Sequence, residues 1–576
     1  MILRRILQVV NQAWFSYLTI FLLQLKMIWG IWWYRDLSNI DTAYYFVAAY
    51  EWFAHRAVYI LWSPLYTAFY GTFLHVWRDA YQATTAHRVA IVLGLCLLVL
   101  AIMRRLLPPG IAWLMAAWWV ILPIDFDSIF EVHLFGLLPL VAALLVLLWK
   151  PGAWGRGWAL AILLASTVLI RNEALIVLLL FGACCLIWEI QCHRRKAGPG
   201  PYLWLQYGLP LAMACLTIAF FYTRALETNL AADLHEKEVS NFCISYAFGY
   251  HQRHPEWQGS FGAGCHDLLV TVYGNPRVTF VEAARLNAPA VAQHLLWNLR
   301  LAADGIQVLL FNAMTGSITP DYDFAVPVPA KSRAALAASL LGVLLLVTAS
   351  VRFWRDRGYW WATLIKPRFW AWQAMGCITI TSGIILLIER PRPAYLFALG
   401  LVLRVLIGVS VLIIAREWPK LDRLDAALPA LMILLILFVP SYYRPGGRRL
   451  LTYYHLLRPF EARIETTPTI LLTQGNGPEL CNYLAKPRTD NFCQPLEFVD
   501  LRNEVQLGQS WQQVLDRYGV TLFLADASVM ADPAARQFVM HAASYGWRSV
   551  TKPEGIVLER IPAPSLPKKQ SGTGIQ

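Results

Sequence analysis

A helical, multi-spanning membrane protein that carries a small C-terminal α/β soluble domain is the architecture to expect of this chain, on three grounds. Its 576 residues are 57% hydrophobic and only 15% charged, with a mean hydropathy of +0.47, which is more apolar surface than a soluble core can absorb. Runs such as Ala90 to Met103, Phe135 to Trp149, Ala337 to Val351 and Tyr395 to Ala415 are nearly free of charge and close to bilayer-spanning length. The basic residues sit in short clusters at the ends of apolar runs, so the net charge of +13 reads as the positive-inside pattern and not as a nucleic-acid face.

About eleven spans follow in order. Arg4 and Arg5 precede the first, Ile6 to Gly30, which lacks a small-residue cleavage site and reads as an uncleaved span with a cytoplasmic N-terminus. It ends in the aromatic belt Ile31-Trp32-Trp33-Tyr34. In the polar segment Arg35 to Asp79, the stretch Asp41 to Arg56 places Tyr44, Tyr45, Ala48, Ala49 and Trp52 at near-helical spacing, which predicts an amphipathic helix on the membrane surface. Trp62-Ser63-Pro64-Leu65-Tyr66 then turns the chain back toward the bilayer. Span two returns to Arg104-Arg105, span three goes out to Asp125, and span four comes back to Lys150 and Arg156.

From Gly157 to Gln191 one continuous helix would be roughly 50 Å long at 1.5 Å per residue, well beyond the ~30 Å hydrocarbon core. A break is expected at Arg171-Asn172-Glu173, giving two short or re-entrant helices whose tip points outward. Span seven, Gly208 to Arg224, opens into a long polar loop from Glu227 to Arg333. Span eight ends in the basic block Arg352 to Arg368, span nine leads out to Glu389-Arg390-Pro391-Arg392-Pro393, span ten returns to Arg416, and span eleven leaves at Tyr442-Tyr443-Arg444. The domains expected are therefore a membrane domain over 1–444, an extracytoplasmic α/β domain over 445–562 and a disordered tail over 563–576. Within the α/β domain, Thr469 to Leu472 and Thr521 to Leu524 read as buried strands and Pro533 to Tyr545 as a helix.

Six of the ten cysteines lie in or beside spans, whereas Cys243, Cys265, Cys481 and Cys493 fall in the two segments expected outside. An oxidising compartment would allow Cys243 to pair with Cys265 and Cys481 with Cys493, although spacing alone does not fix the connectivity.

Five groups of residues have chemistry to offer. Asp36 and Asp41 follow span one; a carboxylate there can take a proton from a hydroxyl, and Asp41 can equally cap the helix it precedes. Asp125, Asp127, Glu131 and His133 form a second acidic loop that suits a divalent cation or a sugar's hydroxyls, but matches no fixed metal spacing. Arg171 and Glu173 interrupt apolar sequence, where an unpaired charge costs about 2.5–3.5 kcal/mol, so they face a cavity, a partner or each other. Arg390 and Arg392 are basic on the side that is otherwise acidic, and guanidinium forks suit phosphate oxygens. Tyr44 and Tyr395 stand beside these charges as pocket-wall candidates.

In their order and common sidedness these motifs resemble the C-type (GT-C) membrane glycosyltransferases that use polyprenyl-phosphate sugars, such as protein O-mannosyltransferases, lipid A aminoarabinose transferases and mycobacterial arabinosyltransferases. The resemblance implies that Asp41 is the catalytic base, with Asp36 as second choice. It further implies that Glu131 or Asp127 is the second-loop acid and that Arg390 and Arg392, with Arg171, hold the donor phosphate. The adjacent acids and Lys-Pro-Pro return of the aminoarabinose transferases are missing, so that sugar is not implied. The expected partners are a lipid-linked sugar, membrane lipids and a glycan, lipid or protein acceptor, with no nucleic acid; a divalent cation is the one cofactor kept open. The site would face the periplasm or cell exterior from a bacterial inner or plasma membrane. A transporter or lipid-linked sugar flippase is the rival reading, since it too uses intramembrane charges and broken helices.

Overall fold

The computed structural model describes residues 12–34, 40–77, 79–127, 131–194, 202–262, 264–320, 329–416, 431–442, 449–475, 477–485, 493–552 and 555–561. Asp36 and the expected tail 563–576 lie outside them.

Among the described residues, seven helices are long and apolar enough to cross a membrane: Ala80–Leu106, Val132–Trp149, Ala174–Arg194, Leu203–Tyr222, Ala330–Arg355, Arg357–Ile388 and Pro393–Ala415. The protein is a multi-pass α-helical membrane protein. Pro109–Ile121 and Ala153–Leu169 are shorter apolar helices. Ala13–Met27 and residues 431–438 lie within the first and last expected spans, with the residues just before 12 and 431 outside the described ones. Length and composition thus establish seven spans and not the full expected eleven.

Two expectations need correction. The chain does break at residues 170–173, but the segment after the break is a 21-residue helix, Ala174–Arg194, and not a short one. Its 21 residues extend about 30 Å, and the first fifteen, Ala174 to Trp188, carry no charge, so the helix is long and apolar enough to span. Likewise, the region expected as a long polar loop folds into four helices, Leu230–Arg253, Cys265–Tyr273, Phe280–Leu286 and Ala288–Phe311. Local signals explain these: Thr279 and Glu282 form a capping box, Asn287 caps the fourth helix through the Ala290 amide, and Gly274 ends the second in a left-handed conformation. A bond between Cys243 and Cys265, with Cα atoms 5.5 Å apart, ties the first two together.

By contact the chain divides into two compact units. The first takes in Met1–Gly30, Arg56–Phe69 and Ala86–Tyr443; the second takes in Ile31–His55, Tyr70–Thr85 and Arg444–Gln576. In the first, Ala153–Leu169 lies closely along Leu203–Tyr222, an approach that Gly157 permits: a Cβ there would stand 2.1 Å from the Gln206 carbonyl oxygen.

The second unit contains a five-stranded sheet of β1 (Thr469–Thr473), β2 (Cys493–Glu497), β3 (Leu522–Ala525), β4 (Trp547–Lys552) and β5 (Gly555–Arg560), in the order β2-β1-β3-β5-β4. β2, β1 and β3 run parallel, while β5 and β4 are antiparallel additions. β3 is buried at every position, as a central strand covered on both faces must be. Phe498 and Trp511 stack at 5.0 Å over Phe523 in the core beside it. Helix Pro533–Met540 gives way to a 3-10 turn, Ala542–Tyr545, so the single helix expected there is two pieces. A bond joins Cys481 to Cys493, with Cα atoms 5.3 Å apart. The amphipathic segment is helix Ile40–His55, and it packs on helix Gly477–Ala485 through Phe46 and Tyr483, whose rings are 4.9 Å apart.

Candidate functional site

The break at residues 170–173 is held in place by the corner at Ser63. Ser63 adopts a left-handed conformation (φ 56°, ψ 71°) and its hydroxyl donates to the Ile170 carbonyl at 2.7 Å. The same corner is fastened on its other side: the Leu61 amide donates to Glu227 at 3.0 Å, and Val58 exchanges backbone hydrogen bonds with Arg224 and Leu226. The Trp-Ser-Pro sequence therefore acts as a bracket that fixes where helix Ala153–Leu169 stops.

Just past that stop, Arg171 donates two hydrogen bonds to Glu173, one of them 3.0 Å from Nε to Oε2. Burial pushes the Glu173 carboxyl up, yet the Arg171 guanidinium beside it pulls harder and leaves it below the usual carboxylate range. Glu173 is thus ionised and already committed.

A second strand of the site is the turn Glu389-Arg390-Pro391-Arg392-Pro393. Helix Phe369–Ile388 ends here, and its last carbonyls are met by side chains from the four-helix block: Asn298 donates to Leu387 O at 2.7 Å, His294 Nε2 meets Ile388 O at 2.9 Å, and Ser245 donates to Glu389 O. Gly305 lets the turn press close, since a Cβ there would be 2.3 Å from the Pro391 carbonyl oxygen. The result is a turn that is buried and charged at once. Arg390 is only 2% exposed and lies 4.2 Å over the Phe248 ring; Arg392 is 8% exposed.

Tyr395 joins the two strands. Arg171 lies 5.6 Å and Arg392 5.5 Å from its ring, and His133 meets it edge to face at 5.1 Å. Glu389 feels all of these charges: burial and the nearby Glu173 carboxylate raise its carboxyl to about 7, against the pull of Arg390, Arg171 and Arg392. Arg171, Arg390 and Arg392 thus stand near two carboxylates, Glu173 and Glu389.

Below this mouth lies a cleft of about 590 Å³, counting its open end. His133, Arg171, Glu173 and Tyr395 form the polar end, while Leu137, Val177, Ile378 and Phe397 continue it as an apolar slot. The Ser166 and Thr381 hydroxyls, buried in its wall, have no hydrogen-bond partner among the described residues. Such a cleft suits an amphiphile with an anionic head and a hydrocarbon tail.

The second acidic loop is arranged differently. Asp125 pairs with Arg404 at 2.7 Å, both essentially inaccessible, and Arg404 also donates to the Leu309 carbonyl and lies 4.8 Å from the Trp119 ring. Burial pushes the Asp125 carboxyl up to about 7 in spite of that partner. Asp127 sits 3.9 Å from Arg88, which donates to the Phe126 carbonyl at 2.8 Å. Glu131 opens helix Glu131–Trp149; its side chain lies outside the described residues. Among the described residues, the single close group of metal-ligand atoms is Cys243, Cys265 and His266, and its two sulfurs are bonded to each other.

Asp41 and Tyr44 are exposed and belong to the second unit, Asp41 in the first turn of helix Ile40–His55. The structure thus brings together His133, Arg171, Glu173, Arg390, Arg392 and Tyr395, and separates Asp125 and Asp127 as partners of other arginines. Sequence reasoning missed Arg404, although a lone arginine inside span ten was the signal that a buried partner must exist. It also passed over Glu389, and over His294 and Asn298, whose i, i+4 spacing puts both on one helix face toward the carbonyls they cap.

No protein-family model matches the chain, and no curated protein matches it. Among solved structures it is similar to the apo form of the Archaeoglobus fulgidus oligosaccharyltransferase, at 12% identity and a TM-score of 0.42 over 92% of this chain and 70% of that one. It is also similar to ArnT from Cupriavidus metallidurans in the apo state, at 12% identity and a TM-score of 0.33 over 94% of this chain and 96% of that one.

Proposed function

We propose that this protein is a membrane glycosyltransferase that moves a sugar from a polyprenyl-phosphate donor to a glycan, lipid or protein acceptor outside the cytoplasm, with inversion at the anomeric carbon. The observation that carries the reading is the cleft: an apolar slot of a size and shape for a prenyl tail, whose polar end holds Arg171 and Tyr395, with Arg392 5.5 Å from the Tyr395 ring. In the step proposed, an ionised carboxylate takes the proton of the acceptor hydroxyl, whose oxygen forms the new bond to the anomeric carbon. The bond from that carbon to the phosphate oxygen breaks, and the electron pair leaves with the phosphate. Arg390 and Arg392, with Arg171 behind them, stabilise the charge that appears there. Asp41, in the first turn of the tyrosine-rich helix Ile40–His55, is the base proposed, as the resemblance read from the sequence implies. His133, Tyr395 and Glu173 shape the pocket and fix the guanidinium planes.

The test is transfer from radiolabelled polyprenyl-phosphate sugars to a membrane extract by the purified protein, run beside Asp41→Asn. Loss of a base typically costs about 10²- to 10⁴-fold in turnover, while donor binding should persist. An Asp41→Asn protein with undiminished transfer would remove Asp41 from the mechanism. A parent protein that moves labelled lipid across vesicles without transferring the sugar would replace the whole reading with a flippase.

A further inference from the structure

A second cavity, of about 910 Å³ with its open mouth, lies at the other end of the membrane helices from the cleft just described. Helix Phe369–Ile388 connects the two levels: its 20 residues end at the arginine turn and begin at Arg368, roughly 30 Å away. The cavity is lined by Arg104, Arg105, Arg368, Arg416, Tyr359 and Trp360. Among the described lining residues there is no aspartate or glutamate.

Arg104 and Arg368 are half-buried, Arg105 and Arg416 exposed, and each has a contact of its own. Arg416 lies over Tyr359, 3.6 Å from the ring centre, and 5.4 Å from Trp360, and Arg105 lies 5.7 Å over Trp149. Arg368 donates to the Arg105 carbonyl at 2.8 Å, and Arg104 to the Ser16 hydroxyl at 2.8 Å. The backbone departs from regular helix at the same place, with a π-helical turn at Trp361–Ile365 followed by a 3-10 turn at Lys366–Arg368. Four like charges around one hollow repel one another unless an anion joins them, and guanidinium forks match phosphate oxygens.

We propose that this cavity binds the phosphate headgroup of an anionic phospholipid. A lipid is favoured over free phosphate because the cavity opens among span ends at a level marked by exposed aromatic rings: Trp354 is 68%, Trp361 51% and Tyr359 46% exposed. Aromatic rings of that kind collect where the bilayer's headgroups lie, and basic pockets between span ends take anionic headgroups. The site is independent of the sugar-transfer reading.

The test is a melting-temperature titration of the detergent-purified protein with dihexanoyl-phosphatidylglycerol, dihexanoyl-phosphatidylcholine and inorganic phosphate as separate probes. Phosphatidylglycerol should raise the melting temperature saturably, and phosphatidylcholine should not. Arg105→Gln with Arg416→Gln should weaken the apparent affinity for phosphatidylglycerol by about tenfold or more. Should that double variant fail to fold, Arg416→Lys, which keeps the charge but loses the guanidinium over Tyr359, should weaken it severalfold. Equal responses to the two lipids, or variants that respond like the parent, overturn the proposal. So does inorganic phosphate acting as strongly as phosphatidylglycerol, since the occupant would then be the free anion.

Discussion

Two arginine–carboxylate pairs of the first unit, one buried and one half-buried, look alike on paper and behave as opposites. Arg404 and Asp125 are closed off, matched one to one, and walled by Trp119 and the Leu309 carbonyl. Arg171 and Glu173 are half-buried and open on a cleft, with Arg392 also 5.5 Å from the Tyr395 ring. A pair closed on all sides is a fastening between helices; a pair beside a void leaves room for a ligand. Open space is what tells the two apart.

The sharpest way to break that contrast is to cut the closed pair. Arg404→Met should strand the Asp125 carboxyl and cost about 3–5 kcal/mol, read as a large drop in melting temperature and yield. Adding Asp125→Leu should restore most of it, because two apolar side chains can replace a buried pair. Failure of the double variant to recover would make the pair more than a fastening.

The open site should respond the other way round. Arg392→Gln should lower turnover by about 10²-fold, as expected when one charge stabiliser of a leaving oxygen is lost, with little change in melting temperature. A stability loss as large as that of Arg404→Met, with turnover per folded molecule intact, would put Arg392 in the structural class.

The smallest effect is a pH dependence. Glu389 is raised to about 7 in the folded protein, against roughly 4.3 for a free glutamate. Between those values the folded state holds a proton that the unfolded state has released, so stability contributed at Glu389 falls as pH rises through the window. Glu389→Gln should flatten the melting-temperature slope between about pH 5 and 7. An unchanged slope would mean that Glu389 titrates normally.

The membrane helices were legible in the sequence because hydropathy reads span length directly, and the break at Arg171 to Glu173 because two charges interrupt apolar sequence. The strands at Thr469 and Thr521 were legible for a similar reason: each is a short apolar run buried on both faces. β2, β4 and β5 were not, since Cys493–Glu497 and Trp547–Lys552 are only partly buried and owe their conformation to the strands they pair with. Nor was the partner of Asp125, because 279 positions of chain separate it from Arg404. Sequence marks an expensive residue; only the fold says what offsets the expense. The same holds for Ser245, His294 and Asn298, ordinary polar residues until the end of a distant helix arrives beside them.

The helix that carries Ser245 and Phe248, the two contacts at the back of the arginine turn, is the one that Cys243 ties to Cys265. A reductant that opened that bond would slacken the scaffold behind Arg390 while leaving every charge in place. Under the proposed function, transfer would then answer to the thiol balance of its compartment, fading in a reducing medium and returning on reoxidation.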